Sequence, residues 1–283
     1  MGFKAAKADP CLYIKGSGNS KVLLLVFVDD LCVICKEEGE IEQTIKDLHK
    51  EFKLRYLGKI KNYLGVEVEH LPGGGYKLSQ KAKIEQLVQR YKMEGCKPVK
   101  ALMELSYQKG GDAESPEFSE EIYRSLIGSL QYLGNWGRSD ILAATGLLSR
   151  HVEKPTRRHW QASKRILRYL KGSRDWHLTI KPENGLKLTA YVDVDWAPDI
   201  TTRQSISGHV ICLGGVVIGW RSIRQKYMFL SLTEYRALSL LCSELTWYKQ
   251  LVSDMGVEVQ GPIVVNEDNE ACITMVKSQR ART

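Results

Sequence analysis

The sequence predicts a mixed α+β / α/β protein in which two sheet-containing regions flank a helical one. Residues 1–104 alternate between apolar runs that suit strands and segments with helical spacing, and residues 186–277 do the same. Residues 121–172 have helical spacing almost throughout. A chain of 283 residues is long enough for about two domains. The order of these patterns favours a mixed fold over an all-helical or all-strand one.

The first region begins with two apolar runs, residues 22–28 and 31–35, separated only by Asp29 and Asp30. Because valine, leucine and other apolar residues dominate both runs, we expect a pair of buried strands with the two aspartates at their connection. Apolar residues then recur at helical spacing over residues 41–52, which predicts an amphipathic helix.

A hairpin and a second helix complete this region. Residues 63–71 and 76–78 flank three consecutive glycines, which suit a hairpin turn. Ser79 is expected to cap the next helix, whose apolar positions run over residues 84–91. Residues 105–120 are polar and rich in turn-forming residues, so we interpret them as a linker.

The helical region carries two apolar stripes, and a proline precedes the second. Pro155 suits the first turn of a helix because it has no N–H group to leave unpaired there. The stripes are Leu126, Leu130 and Leu133, then Ile166, Leu167 and Leu170. In the last region the predicted order is a strand at 186–193, a hairpin of 208–213 and 216–220, a helix at 234–255, a strand at 262–266 and a helix at 270–277.

Composition restricts the class of protein. Hydrophobic residues make up 43% of the chain and charged residues 26%, which is ordinary for a globular protein. The longest apolar run is far shorter than the roughly 20 residues that cross a bilayer, and the first residues do not resemble a signal peptide. The seven cysteines are scattered and odd in number, which favours reduced thiols. We therefore expect an intracellular protein, in the cytoplasm or the nucleus, with no membrane partner.

The net charge of +8 predicts an anionic partner such as nucleic acid. Residues 1–104 and 105–180 each carry a net charge of +4, and residues 181–283 are neutral. Within the middle region, residues 154–174 contain eight basic side chains and no acidic one, with aromatic residues interleaved. A merely solvated helix face usually mixes signs, so this pattern favours contact with a phosphate backbone. The candidate contacts are Arg157, Arg158, Lys164, Arg165, Arg168 and Lys171.

Five carboxylates are candidate metal ligands. Asp29 and Asp30 form a compact pair of hard oxygen donors, which Mg²⁺ prefers when it also binds phosphates. Asp193 on a predicted strand, Glu234 near a helix start and Asp268 between a strand and a helix suit a pair of metal ions about 4 Å apart. The simpler explanations are a polar turn for the first pair, and an exposed strand residue, helix-dipole stabilisation and helix capping for the others.

Several ordered motifs resemble those of one known family. They are DPCLY at 9–13, LLVFVDDL at 24–31, YLGVEV at 63–68, CKPV at 96–99, YRSLIGSLQYL at 123–133, HW at 159–160, KRILRYLKG at 164–172, YVDVDWAPD at 191–199 and SISG at 205–208. Together they resemble the Ty1/copia-type retrotransposon Pol polyprotein, in the later part of its reverse transcriptase and the ribonuclease H domain that follows. The resemblance implies a partial reverse transcriptase palm at 1–104, a linker and helical thumb or connection at 105–180, and a ribonuclease H-like mixed-sheet domain at 181–283.

The resemblance also implies roles for the candidate carboxylates. Asp29 and Asp30 match two of the three metal-binding aspartates of the polymerase site. Asp193, Glu234 and Asp268 match three of the four ribonuclease H carboxylates. The implied cofactor is Mg²⁺, with Mn²⁺ as a substitute, and the implied partner is an RNA–DNA hybrid or a template–primer duplex. In the intact family these sites perform RNA-directed DNA synthesis and hydrolysis of the RNA in hybrids.

The chain departs from the family pattern in ways that bear on activity. The family's first polymerase aspartate precedes the part matched here, and its fourth ribonuclease H carboxylate follows it. The segment SLTEY at 231–235 is two residues shorter than the family motif, and NEDN at 266–269 adds Glu267 beside Asp268. We therefore expect no polymerase activity and at best weak ribonuclease H activity. The alternative is a catalytically inactive relic that retains only nucleic-acid binding, and the sequence leaves the oligomeric state open.

Overall fold

The computed structural model shows a mixed α/β protein, as the sequence predicts. It describes residues 1–104, 107, 119–181, 185–195, 204–225 and 233–278, so most of the predicted linker at 105–120 lies outside the described residues. Within these ranges it contains seven α-helices and three four-stranded sheets, and no helix is long and apolar enough to cross a membrane. The chain divides into two compact units. The first comprises Met1–Ile60, Gly185–Lys187 and Ser239–Pro262, and the second comprises Lys61–Asn184, Leu188–Leu238 and Ile263–Thr283.

An antiparallel sheet forms the framework of the first unit. Its strands, in spatial order, are β1 (Lys4–Ala5), β2 (Leu12–Lys15), β3 (Val22–Phe27) and β4 (Asp30–Ile34), and helix α1 (Glu38–Glu51) follows them in the chain. The two apolar runs predicted as paired strands form the β3–β4 hairpin. Val22 and Leu24 are buried because alternate residues of a strand face the same side.

Helices and a small sheet form the first part of the second unit. The helices are α2 (Lys81–Arg90), α3 (Glu120–Trp136), α4 (Leu142–Ser149) and α5 (Arg157–Gly172). The sheet runs β5 (Asn62–Tyr63), β6 (Val66–His70), β7 (Tyr76–Ser79) and β8 (Leu178–Ile180), all antiparallel. Both predicted apolar stripes are fully buried in one cluster between the helices. Each such side chain stabilises the fold by about 1.5–3 kcal/mol, so this cluster is a principal source of stability.

A second sheet of this unit carries the candidate carboxylates of the last region. Its spatial order is β11 (Val216–Arg224), β10 (Ile206–Leu213), β9 (Leu188–Asp195) and β12 (Val264–Asn266). The first three strands are antiparallel, whereas β12 runs parallel to β9. Helix α6 (Thr233–Asp254) lies between β11 and β12 in the chain, and α7 (Glu270–Lys277) follows β12. The observed order is the strand, hairpin, helix, strand and helix that the spacing predicts.

Two capping predictions are wrong. Ser79 is the last residue of β7, where its hydroxyl donates to a carboxylate of β6 at 2.8 Å, so Gln80 takes the N-cap position of α2. Pro155 lies outside α5 rather than in its first turn. Thr156 is the N-cap and forms a capping box with His159, which sets the helix start two residues after the proline.

Candidate metal centre and nucleic-acid interface

The β3–β4 hairpin presents Asp29 and Asp30 at an exposed tip. Phe27 pairs with Asp30, so Val28 and Asp29 form a two-residue turn. Val28 has a φ of 53° and is 83% exposed, although β-branched residues rarely adopt this left-handed conformation. Among the residues that the structure describes, no further carboxylate, histidine or cysteine joins this pair in a group able to hold a metal ion.

Strand β9 places Asp193 on the exposed face of its sheet. Asp193 and Asp195 are exposed while Val192 and Val194 are buried, because successive residues of a strand alternate between faces. Asp193 Oδ1 accepts the N–H of Val194 at 2.8 Å. Burial raises the pKa of Asp195, and the nearby Asp193 carboxylate also raises it. Two carboxylates on one strand face thus already repel each other.

Glu234 lies in the first turn of α6, in surroundings that are unusual for a carboxylate. Its Oε2 atom is buried and has no hydrogen-bond partner within the described ranges. Burial, together with the carboxylates of Glu267, Asp193 and Asp268, raises the pKa of Glu234 to about 7. The fold therefore brings the three candidate carboxylates of the last region close enough to interact electrostatically.

Glu267 is a fourth carboxylate in this neighbourhood. It lies just after β12, where its Oε1 accepts the N–H of Asn269 at 3.0 Å. Its Oε2 is buried and, in the part of the chain that the structure describes, has no partner. Among the neighbouring carboxylates, Glu267 raises the pKa of Glu234 most. The carboxylate cluster, as we term Asp193, Glu234, Glu267 and Asp268, therefore concentrates negative charge at one place.

The chemistry of the carboxylate cluster suits a divalent cation. Buried oxygens that lack partners and lie beside like charges are stabilised by a cation, and carboxylate oxygens are the ligands that Mg²⁺ prefers. Within the described residues, no three of these groups lie close enough together to coordinate one ion. The residues therefore fit Mg²⁺ in donor type and charge, and coordination requires their side chains to move closer together.

Three of the predicted nucleic-acid contacts on α5 bind the protein's own chain. Their partners lie in residues 94–104, a segment that we term the strap and that runs along the helix. Sequence reasoning finds the charge of α5 but not the strap, because the bonded residues lie 61 to 77 positions apart in the chain. The bonds are Arg165 Nε to Ala101 O (3.1 Å), Arg165 Nη1 to Glu104 Oε1 (2.9 Å), Arg168 Nε to Lys97 O (2.8 Å), and Lys171 Nζ to Cys96 O (2.7 Å) and to Glu94 O.

The other three basic candidates are placed differently. Arg157 is exposed in the first turn of α5. The guanidinium of Arg158 lies 4.6 Å from the ring centroid of Tyr107, and the ammonium of Lys164 lies 5.5 Å from that of Trp160. The aromatic residues therefore hold two of the cations through their ring faces.

Comparison with known proteins identifies the family. Residues 1–104 match the family model described as reverse transcriptase (RNA-dependent DNA polymerase). The chain is 34% identical over 275 residues to the retrovirus-related Pol polyprotein from transposon RE2 of Arabidopsis thaliana. It is 34% identical over 294 residues to the corresponding polyprotein from transposon TNT 1-94 of Nicotiana tabacum. These matches cover 95% and 98% of this chain, but 18% and 22% of the two relatives.

A shorter relative is covered almost completely. An uncharacterized mitochondrial protein of Arabidopsis thaliana is 34% identical over 227 residues, which make up 79% of this chain and 93% of that protein. Against the two Pol polyproteins, by contrast, the chain spans about a fifth of their length. The family model, and the similarity to Pol polyproteins over nearly the whole of this chain, agree with the motifs found in the sequence. The chain belongs to the copia-type retrotransposon Pol family.

Proposed function

We propose that residues 181–283 form a ribonuclease H-like domain that hydrolyses the RNA strand of an RNA–DNA hybrid with Mg²⁺ or Mn²⁺. The observation that carries this proposal is the environment of Glu234: its Oε2 atom is buried and has no hydrogen-bond partner among the described residues, and its carboxylate interacts with those of Asp193 and Asp268. Reverse transcriptases bind nucleic acid and generally use divalent metal ions, so the proposed cofactor and substrate are of the kinds that the family handles.

The chain's own contribution is to bring together carboxylates from three separate elements. Asp193 comes from β9, Glu234 from α6 and Asp268 from the segment between β12 and α7. A bound pair of divalent cations supplies an activated water and stabilises the leaving oxygen of the phosphodiester. The three side chains would hold these cations, and Glu267 would add negative charge that strengthens their retention. The raised pKa of Glu234 belongs to the metal-free state, since a cation favours the ionised carboxylate.

We also propose that residues 1–104 are part of a reverse transcriptase palm and that residues 105–180 are its linker and helical thumb or connection. In the palm, Asp29 and Asp30 would supply two metal-binding carboxylates from the exposed hairpin tip. Among the described residues no third carboxylate joins Asp29 and Asp30 in a group able to hold a metal ion, so we expect the purified chain to extend no primer. Incorporation of nucleotides that Asp29→Asn abolishes would contradict this expectation.

The second candidate function is nucleic-acid binding without cleavage. It is favoured by the basic character of α5 and by the net charge of +4 in each of the regions 1–104 and 105–180. The candidate contacts remain the six basic residues of α5, although Arg165, Arg168 and Lys171 also hold the strap. Salt-dependent binding of a hybrid that stays intact in Mg²⁺ and in Mn²⁺ would support this alternative.

Cleavage of a labelled RNA–DNA hybrid by the purified chain tests the first proposal. We expect slow cleavage that chelation of the metal abolishes, and a loss of more than about 100-fold on Asp193→Asn or Glu234→Gln, because each removes a proposed metal ligand. Asp175→Asn is the matched control, since Asp175 is an exposed aspartate that pairs with Lys81. A hybrid left untouched in both metals, or cleavage that survives both substitutions, would contradict the proposal.

A further inference from the structure

The buried side-chain amide of Gln225 connects β10, the neighbour of the strand that carries Asp193, with α6, the helix that carries Glu234. Gln225 directly follows β11 and is 2% exposed. Its backbone N–H donates to Ser205 O at 2.8 Å, which continues the pairing of β11 with β10. Its side-chain Nε2 donates both of its hydrogens, to Ser207 Oγ at 2.8 Å and to Thr233 O at 2.9 Å.

Each of the two acceptors is one residue away from a proposed metal ligand or from the strand partner of one. Thr233 is the first residue of α6 and precedes Glu234. Ser207 lies on β10, where it pairs with Val194 of β9, and the next residue, Gly208, pairs with Asp193. The amide of Gln225 therefore ties the start of the helix to the strand that is hydrogen-bonded to β9.

Stability alone does not explain an amide at this position. The Oε1 atom of Gln225 is buried and has no hydrogen-bond partner within the described residues. A buried acceptor without a partner destabilises a fold, so the two donated bonds come with an unfavourable contribution from the same group. The amide does fix the orientation of the first turn of α6 relative to β10. Its two N–H donors lie in one plane, and both acceptors are buried, Ser207 at 3% and Thr233 at 7% exposure.

The direction matters because of helix geometry. Successive residues of an α-helix are rotated by about 100° about its axis, so a small change at the first turn re-aims the side chain at the second position. Glu234 occupies that position in α6. Asp193, in contrast, is fixed by its pairing with Gly208 of β10, in a strand that also pairs with β12 as far as Tyr191.

We propose that Gln225 is a positioning residue, which anchors the first turn of α6 to β10 and so holds Glu234 in register with Asp193. The proposal deepens the ribonuclease H-like function and rests on it. Gln225 touches neither metal nor substrate, and acts through Thr233. Replacing a residue that orients a metal ligand without touching the metal typically lowers metal affinity or activity by about 10- to 100-fold.

The variant Gln225→Met tests this proposal, because it keeps the size of the side chain and removes both donated bonds. Gln80→Met is the matched control. Gln80 is 3% exposed and lies beside Tyr132, so it is a buried glutamine outside the carboxylate cluster. Ser207→Ala removes one acceptor and leaves the bond to Thr233, so its effect should be smaller.

Three measurements on the full chain separate positioning from a general loss of stability. Calorimetric titration with Mn²⁺ measures metal affinity. Hydrogen exchange of the metal-free protein measures the opening of the first turn of α6, through the N–H groups one turn later that donate to the carbonyls of that turn. Hybrid cleavage measures kcat and KM. We expect Gln225→Met to weaken Mn²⁺ binding by 10- to 100-fold, to speed exchange in that turn and to lower kcat with little change in KM. Gln80→Met should leave all three at wild-type values.

The outcomes separate this proposal from the function on which it rests. Wild-type protein that binds no Mn²⁺ and cleaves no hybrid overturns the proposed function, and the exchange data then decide the anchoring by Gln225 on their own. Wild-type affinity and wild-type exchange in Gln225→Met overturn the proposal even if the chain is an active nuclease. An equal loss in Gln80→Met also overturns it, because it would show an effect of stability rather than of position.

Discussion

Glu234 and Glu267 each have a carboxylate oxygen in the protein interior that lacks a hydrogen-bond partner among the described residues. A buried polar atom without a partner destabilises a fold by about 1–3 kcal/mol. Two such atoms on interacting side chains, with Asp193 and Asp268 nearby, are difficult to explain by stability alone. Local exceptions of this kind are expected at functional sites, where a ligand supplies the missing interaction.

The raised pKa of Glu234 leads to a prediction about stability and pH. The pKa is about 7 in the folded protein against an ordinary value of 4.5, so the folded state binds more protons between these values. Stability from this group is therefore greatest below pH 4.5 and is lost as the pH rises through 7. Glu234→Gln should stabilise the metal-free protein by about 1–2 kcal/mol at pH 8, after allowance for solvent screening, and by clearly less at pH 5.

Denaturant unfolding in a chelating buffer at the two pH values checks this prediction. The control is Asp175→Asn, which alters an exposed ion pair and should change the free energy of unfolding little at pH 8. A stabilisation by Glu234→Gln that is the same at pH 5 and pH 8 would show that the pKa of Glu234 is not raised in the folded protein.

Some residues of the candidate site can be predicted from a local sequence pattern, and others cannot. Asp29, Asp193 and Glu234 could be named from the sequence because carboxylates at strand ends and helix starts are recognisable locally and resemble family motifs. Gln225 and Arg138 could not. Arg138 is 4% exposed and donates two bonds to Ser173, which exist only once the segments that follow α3 and α5 have come together.

The basic residues of helix α5 can have two roles, in binding nucleic acid and in binding the strap. Its basic residues form an unmixed positive segment, which predicts a phosphate-binding face. In the structure, three of them hold the strap through charge-assisted bonds to backbone carbonyls. A nucleic-acid strand offers acceptors of similar geometry, so substitution of these three residues changes the fold as well as any interface.

Single substitutions on α5 separate the two roles. Arg168→Ala should lower the free energy of unfolding by about 1–3 kcal/mol, because it removes a charged donor from Lys97 O at 2.8 Å. Lys164→Ala should lower it by less than half as much, since Lys164 contacts only the Trp160 ring in the bonds described above. If α5 binds a duplex, Lys164→Ala should reduce the slope of log K against log salt by about 0.9.

Unfolding by urea and duplex binding at several salt concentrations give the two readouts. Lys154→Ala, on an exposed residue before the helix, is a useful comparison for the salt slope. An unchanged slope in Lys164→Ala, with normal duplex binding, would remove Lys164 from the interface. Wild-type stability in Arg168→Ala would show that the strap does not depend on this contact.

At the scale of elements, hydrophobic spacing predicted the helices and strands more reliably than capping residues predicted where helices begin. The helix at 270–277 and the hairpin around Gly214 and Gly215 have the predicted positions, because spacing and turn residues specify them locally. Ser79 and Pro155 failed as helix-start signals, since each start depends on bonds that the side chains make in the folded chain. The parallel pairing of β12 with β9 was likewise not readable from spacing, because it joins residues about 75 positions apart.

At the scale of the whole chain, the net positive charge and the proposed ribonuclease H carboxylates lie in different regions. Residues 181–283 carry no net charge, although they contain the carboxylate cluster, whereas residues 1–104 and 105–180 carry +4 each. We therefore expect electrostatic attraction to a hybrid to come mainly from residues outside the neutral region. This arrangement also explains why binding without cleavage is a real alternative, because the two properties rest on different residues.

A metal centre formed by Asp193, Glu234 and Asp268 can be tested with a crystal structure of the chain grown with Mn²⁺, in which anomalous scattering locates the metal. We expect Mn²⁺ bound by oxygens of these three carboxylates, with Glu234 Oε2 among them, and loss of the metal in crystals of Asp193→Asn. Well-ordered carboxylates with no Mn²⁺ among them, at metal concentrations that support hybrid cleavage, would contradict it.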